Sequence, residues 1–294
     1  MNSLMNQIRC IILLAVWHSI AFAQTADLSP LFPQADPATD AISEAIRAGH
    51  NARAAALLAS LDPTIRNHWA GILALTQNDA NGAIRILRKG DYPKALGVAY
   101  YLAGQKILFR EQMAEAIRRS PDDFGPYYYL GRYYDSDVDD AEEAVRWFRL
   151  ALENSGVYAP ALSHLGNCLE RIGKTAEAEA AYKDSLSVPL SLIGLARVRL
   201  TADESASALA FIEKAIGLAP RDIQALKLAA RIYREFDRPR EAVRVLESAA
   251  LAAPRDASVR YQLVRLYESI GEPAKSSAAL RDFERLRAIY GLAP

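Results

Sequence analysis

The four residues Ala-Pro-Arg-Asp stand at Ala219–Asp222 and again at Ala253–Asp256, 34 positions later. Laying one copy on the other superimposes two whole segments. Leu226, Ala229, Ala230 and Tyr233 fall on Arg260, Leu263, Val264 and Tyr267, and the spacing i, i+3, i+4, i+7 marks one stripe of a helix. A polar break follows, "EFDRP" in one copy and "ESIGEP" in the other. A second stripe comes after it, with Ala242, Leu246 and Ala249 matched by Ser276, Leu280 and Phe283. Each unit therefore reads as two antiparallel helices. One such pair cannot bury its apolar face alone, so the same short turn must recur to set each pair against the last. Within that turn the proline stops one helix, and the aspartate is placed to accept from the first amides of the next. Ser120–Asp123, "SPDD", is a third version of the turn.

Further copies follow from a small residue with another about 12 positions on. Gly166 pairs with Ala178 and leads to Tyr182, Ala230 pairs with Ala242, and Gly194 and Ala208 lie 14 apart, which predicts two extra residues in the "RLTADES" turn. Gly97, Tyr100, Met113, Ala116 and Pro121 fit one more unit; Gly71, Ala83 and Leu87 fit a shortened one; Ile42–Asp62 reads as a degenerate first hairpin. Small residues are needed where two helices approach to roughly 8 Å. Large ones such as Tyr233, Leu246 and Phe148 are expected to fill the gaps between successive hairpins.

In "YYYLGRYY", Tyr127, Leu130, Gly131 and Tyr134 stand where the tetratricopeptide-repeat family has its aromatic, Leu, Gly and Tyr. Ala144, Phe148 and Ala151 complete a second helix one residue late. The chain resembles that family over most of 41–290. The resemblance implies an all-α fold, a right-handed α-solenoid of antiparallel helix pairs.

The first 23 residues differ from the rest. Arg9 precedes the run "CIILLAVWHSIAFA", which ends in the small-x-small pattern of Ala21-Phe22-Ala23 and is too short for the roughly 20 residues that span a bilayer. It reads as a signal peptide cleaved after Ala23, with no stable membrane insertion afterwards. The expected organisation is a signal peptide at 1–23, a flexible leader at 24–40, degenerate hairpins at 41–89 and a repeat array at 90–294. Within the array the approximate units are 90–123, 124–158, 159–186, 187–222, 223–256 and 257–290. Cleavage leaves 34 basic and 35 acidic side chains and one cysteine, Cys168, so no internal disulfide can form and no net charge draws the chain to nucleic acid.

Reactive constellations are sparse. His50, His68 and His164 show no metal-ligand spacing, and no phosphate-binding glycine loop or nucleophile elbow occurs. His164 and Cys168, four apart on one helical face, are the one thiol pairing available to a hydrolase. A small residue in a helix interface is the plainer reading of Cys168. Neither an enzyme nor a cofactor is expected.

By the resemblance, the first helices line a concave groove that holds an extended peptide or a partner helix. The register places Lys94, Tyr101, Tyr128, Arg132, Asn167 and Arg171 on that face, continuing with Arg199, Lys227, Arg231, Arg234, Tyr261 and Arg265. With Asp135, Glu170, Glu235 and Glu268, the face carries eight basic and four acidic side chains, a bias towards acidic partners. Of the tyrosine cluster, Tyr128 is expected to face outward. The resemblance implies a non-enzymatic scaffold that binds a protein or peptide, and the signal peptide an exported one in the periplasm or at the cell surface, serving envelope assembly, secretion, or pilus or polysaccharide export. Recognition of an acidic polysaccharide is the second reading. The last helix keeps apolar Ala279, Phe283, Leu286 and Ile289 with no further hairpin to cover them, which leaves self-packing, self-association or a partner.

Overall fold

The computed structural model describes residues 27–32 and 37–290. The expected signal peptide lies outside them. Sixteen α-helices and no strand occur among the described residues, preceded by a single 3-10 turn at Ser29–Leu31. Contacts divide the chain after Gly156 into two units, each a stack of four helical hairpins.

In the first unit the hairpins are α1 (Pro37–Arg47) with α2 (Asn51–Leu58), α3 (Pro63–Thr76) with α4 (Ala80–Leu87), α5 (Pro93–Leu102) with α6 (Lys106–Arg119), and α7 (Phe124–Tyr133) with α8 (Ala141–Ser155). In the second they are α9 (Ala159–Arg171) with α10 (Thr175–Lys183), α11 (Pro189–Thr201) with α12 (Ser205–Leu218), α13 (Ile223–Glu235) with α14 (Pro239–Ala252), and α15 (Ala257–Ser269) with α16 (Pro273–Tyr290). This is the all-α hairpin solenoid read from the repeats.

The recurring turn works as its residues dictate. The Asp222 carboxylate accepts from the Ala225 amide at 2.9 Å, Asp256 from Ser258 and Val259 at 2.9 and 3.2 Å, and Asp123 from Gly125 at 2.9 Å. In all three turns the aspartate's own amide donates to the carbonyl three residues back at 3.0 Å. Tyr233 and Tyr267, one repeat apart, donate their hydroxyls to Glu213 and Glu247, each tying a first helix to the second helix of the preceding hairpin. Burial, then the Glu247 carboxylate, push the Tyr267 hydroxyl up to about 12. One apolar cluster runs without a break from Leu192 on α11 to Ala279 on α16.

Close approach is set by glycine. A methyl on Gly131 would lie 2.7 Å from the Phe148 ring, and one on Gly166 2.6 Å from that of Tyr182. Phe148 thus packs against Gly131 within its own hairpin. Tyr182 reaches two hairpins, because its ring also lies against Gly194 of the following one. That contact corrects the reading of the "RLTADES" turn, which has no extra residues. Ala196, fully buried, is the small residue that faces Ala208, 12 positions on. Asp203 and Asp237, at φ 58° and 53°, occupy equivalent left-handed positions in turns of equal length. The departure lies upstream, in the nine-residue α10, where α14 has 14 residues. The residue that makes the α7–α8 hairpin run late is absorbed in a π-turn at Tyr134–Val138.

The leader is a second correction. Residues 27–32, read as flexible, are packed, with Leu31 only 1% exposed, and α1 already begins at Pro37. Leu31 and Phe32 lack any period, but side chains of that size need only a surface to cover. At the other end α16 folds its stripe inward. Ala279 and Leu286 are buried, Phe283 lies 5.4 Å from the Tyr261 ring, and Leu280 and Ile289 are the large apolar side chains left exposed.

Candidate partner-binding face

The expected face divides by what its side chains already hold. In the first unit it is closed. Tyr101, Tyr128 and Arg132 are all under 10% exposed. Tyr101 packs against Phe109 and Tyr133 and donates to Asp137. Tyr128, expected outside, has its ring 5.5 Å from Tyr129 and 6.1 Å from Phe148, and its hydroxyl accepts from Arg132 Nη1 at 3.3 Å. Tyr127 and Tyr134 are the half-buried members, and Tyr127 donates to the Pro121 carbonyl at 2.9 Å. Lys94 pairs with Asp123, the capping residue of the next first helix, at 2.6 Å.

In the second unit several expected contacts are also committed internally. Arg197, which the register omitted, grips Glu170 through Nε at 2.9 Å and Nη2 at 2.7 Å, and Asn167 accepts from the same Nη2 at 3.3 Å. Arg199 is paired with Glu179, while Arg171 is exposed. Lys227 repeats the Lys94 arrangement, 3.3 Å from the capping Asp256 and 2.7 Å from Ser258 Oγ. Burial works against charge on Asp256, yet the Ser258 hydroxyl and Lys227 outweigh it and hold that carboxyl below the ordinary value. Arg231 sits 3.5 Å from Glu235 on its own helix.

Three expected residues are brought together. Arg234 from α13 and Tyr261 and Arg265 from α15 line one cleft of about 250 Å³, with Gln262, Leu266 and Ser269. No carboxylate lines it. Among the described residues neither arginine has an acidic side chain within ion-pair distance. Tyr261 is 48% exposed and offers a flat apolar surface beside two planar cations. Gln262 and Ser269 were legible only as polar positions one and eight residues along the helix from Tyr261. Two guanidinium groups, an amide, a hydroxyl and a ring together can receive carboxylates in two-pronged fashion and shelter an attached carbon chain.

The two chemical candidates lie elsewhere. Cys168 is fully buried in α9, so its thiol offers no surface to a substrate, and His164 is half-buried on the same helix. Among the described residues no group of three His, Cys, Asp or Glu side chains is arranged to hold a metal ion. No helix there is long and apolar enough to cross a membrane.

The sequence matches no family model and no curated protein. Solved structures do resemble it. A structure of pilF from Pseudomonas aeruginosa superimposes with a TM-score of 0.59 at 16% identity, covering 68% of this chain and 91% of its own. PilW, a widely conserved type IV pilus biogenesis factor, gives 0.57 at 15% identity, over 68% of this chain and 93% of its own. The Cut9–Hcn1 hetero-tetramer of the APC/C gives 0.67 at 13% identity, over 91% of this chain and 55% of that one. All three contain tetratricopeptide repeats, and at such identities what they share with this chain is architecture. Hairpins capped by a recurring aspartate, glycine-seated aromatics and these superpositions together establish that the chain has the tetratricopeptide-repeat fold.

Proposed function

We propose that this protein is a non-enzymatic scaffold that holds an acidic stretch of a protein partner against the inner face of its second unit. The observation that carries the reading is the cleft of Arg234, Tyr261 and Arg265, in which two arginines converge with no carboxylate among the described residues lining it. Most other cations on the expected face have a partner already; these two keep their charge for something else. An envelope location is supported by the signal-like residues 1–23 and by the likeness in fold to pilF and PilW. α16 buries Ala279 and Leu286 without a second copy, so the scaffold is proposed to act as a single chain.

A fluorescent glutamate-rich peptide titrated with the purified chain tests this. Binding should weaken steeply with salt, and the double variant Arg234→Glu, Arg265→Glu should lose affinity about tenfold or more. Equal affinity for both chains would sink the proposal. Retention of an acidic polysaccharide but not the peptide would replace it with a glycan-binding reading.

A further inference from the structure

Residues 27–32, "DLSPLF", lie on the first unit in the manner of a bound peptide. Arg47, His68, Trp69, Gly125 and Tyr129, which the segment touches, all stand on first helices of hairpins. The Phe32 ring is 5.4 Å from that of Trp69 on α3, with the Arg47 guanidinium of α1 4.7 Å above its centre. His68 Nε2, also on α3, donates to the Leu31 carbonyl at 3.4 Å. At the other end the Tyr129 hydroxyl on α7 donates to the Asp27 carbonyl at 3.0 Å. Pro30 reaches Gly125 of α7, where an added methyl would come 3.2 Å from it. Pro30 and Leu31 are buried, and apart from one 3-10 turn the backbone has no regular structure. The Asp27 and Leu31 carbonyls are thus taken up by side chains of the surface beneath, those of Leu28 and Ser29 by the segment's own amides in the turn, and Pro30 and Leu31 are buried.

We infer that this segment is an internal ligand of the first unit's inner face. Displacing it opens the face to an extended protein segment of the same chemistry, a proline followed by an aliphatic and an aromatic side chain. Trp69 and the Leu31 seat supply the apolar pockets, and His68 and Tyr129 supply donors for the backbone. Covalent attachment keeps the chain's own segment at an effective concentration on the order of millimolar, so an outside ligand competes only once the segment is loosened. The inference stands apart from the arginine cleft, which lies in the other unit and reads charge, not apolar shape.

The experiment uses the full chain carrying Leu31→Asp and Phe32→Ala, and a labelled synthetic peptide of residues 24–36. The peptide should bind the variant at least tenfold more tightly than the unaltered chain, and a peptide with the same two changes should bind neither. Phe32→Ala alone is a milder release, read in the same way if the double variant loses its helical circular dichroism. A folded variant that ignores the peptide, or equal binding to both chains, overturns the inference and makes residues 27–32 a fixed part of the fold.

Discussion

Asp222 shows how much one side chain settles. Its carboxylate satisfies the Ala225 amide in the first turn of α13, so Asp222→Ala is expected to cost about 1 kcal/mol of unfolding free energy, measured by denaturant titration. That role was legible because a cap is local: Pro220 and Asp222 act within three residues. Tyr128 was not legible, since what buries it comes from Tyr129, Phe148 and Arg132 together, and no local spacing records which of Tyr127 and Tyr128 the array encloses. His68 was weighed only as a metal ligand, yet it makes a pH-dependent contribution. Burial, and then the charge of Lys94, lower its pKa from 6.5, against the pull of the Leu31 carbonyl. Below pH 6.5 the unfolded chain takes up a proton that the folded chain still refuses, so stability falls with pH in that range. Melting temperatures taken through mildly acid pH should drop more for the unaltered chain than for His68→Gln.

At the scale of helices, the hairpins were readable wherever the period of 34 holds and were misread where it breaks. Gly194 looked like the hairpin-closing residue because glycine usually is. In the fold it receives Tyr182 from the preceding hairpin, and Ala196 takes the closing place. The cause is the missing turn of α10, a deletion that alignment by small residues moves into the wrong loop. Tyr182 is held from both sides by glycine and through its hydroxyl by Glu170 at 2.8 Å, so it cannot swing away. Gly194→Ala should therefore cost about 1–3 kcal/mol, the usual range for overpacking. Gly217, exposed in α12 with open space around its Cα, is the control: Gly217→Ala should raise stability by up to about 1 kcal/mol. Thermal unfolding of the two variants side by side reads both effects.

Across the molecule, the first-helix side chains of the two units are differently occupied, although the repeat pattern treats them alike. The first is filled by aromatic rings and by the chain's own residues 27–32; the second leaves Arg234 and Arg265 open. The twelve residues expected on one groove from register alone all stand on first helices, but register says nothing about whether a cation already has a carboxylate. Lys94 and Lys227 illustrate this, each joined to the aspartate that caps the next first helix. Reversing the charge at Arg234 and Arg265 should accordingly leave unfolding within about 0.5 kcal/mol of the parent while weakening acidic-peptide capture, since exposed positions seldom carry stability. The shared seat of Tyr182 has one more outcome, for anyone building chimeras. Modules exchanged with other arrays must keep α9 through α12 as one cassette, because a cut between α10 and α11 would part the ring from one of its two glycines and leave a hollow at the splice.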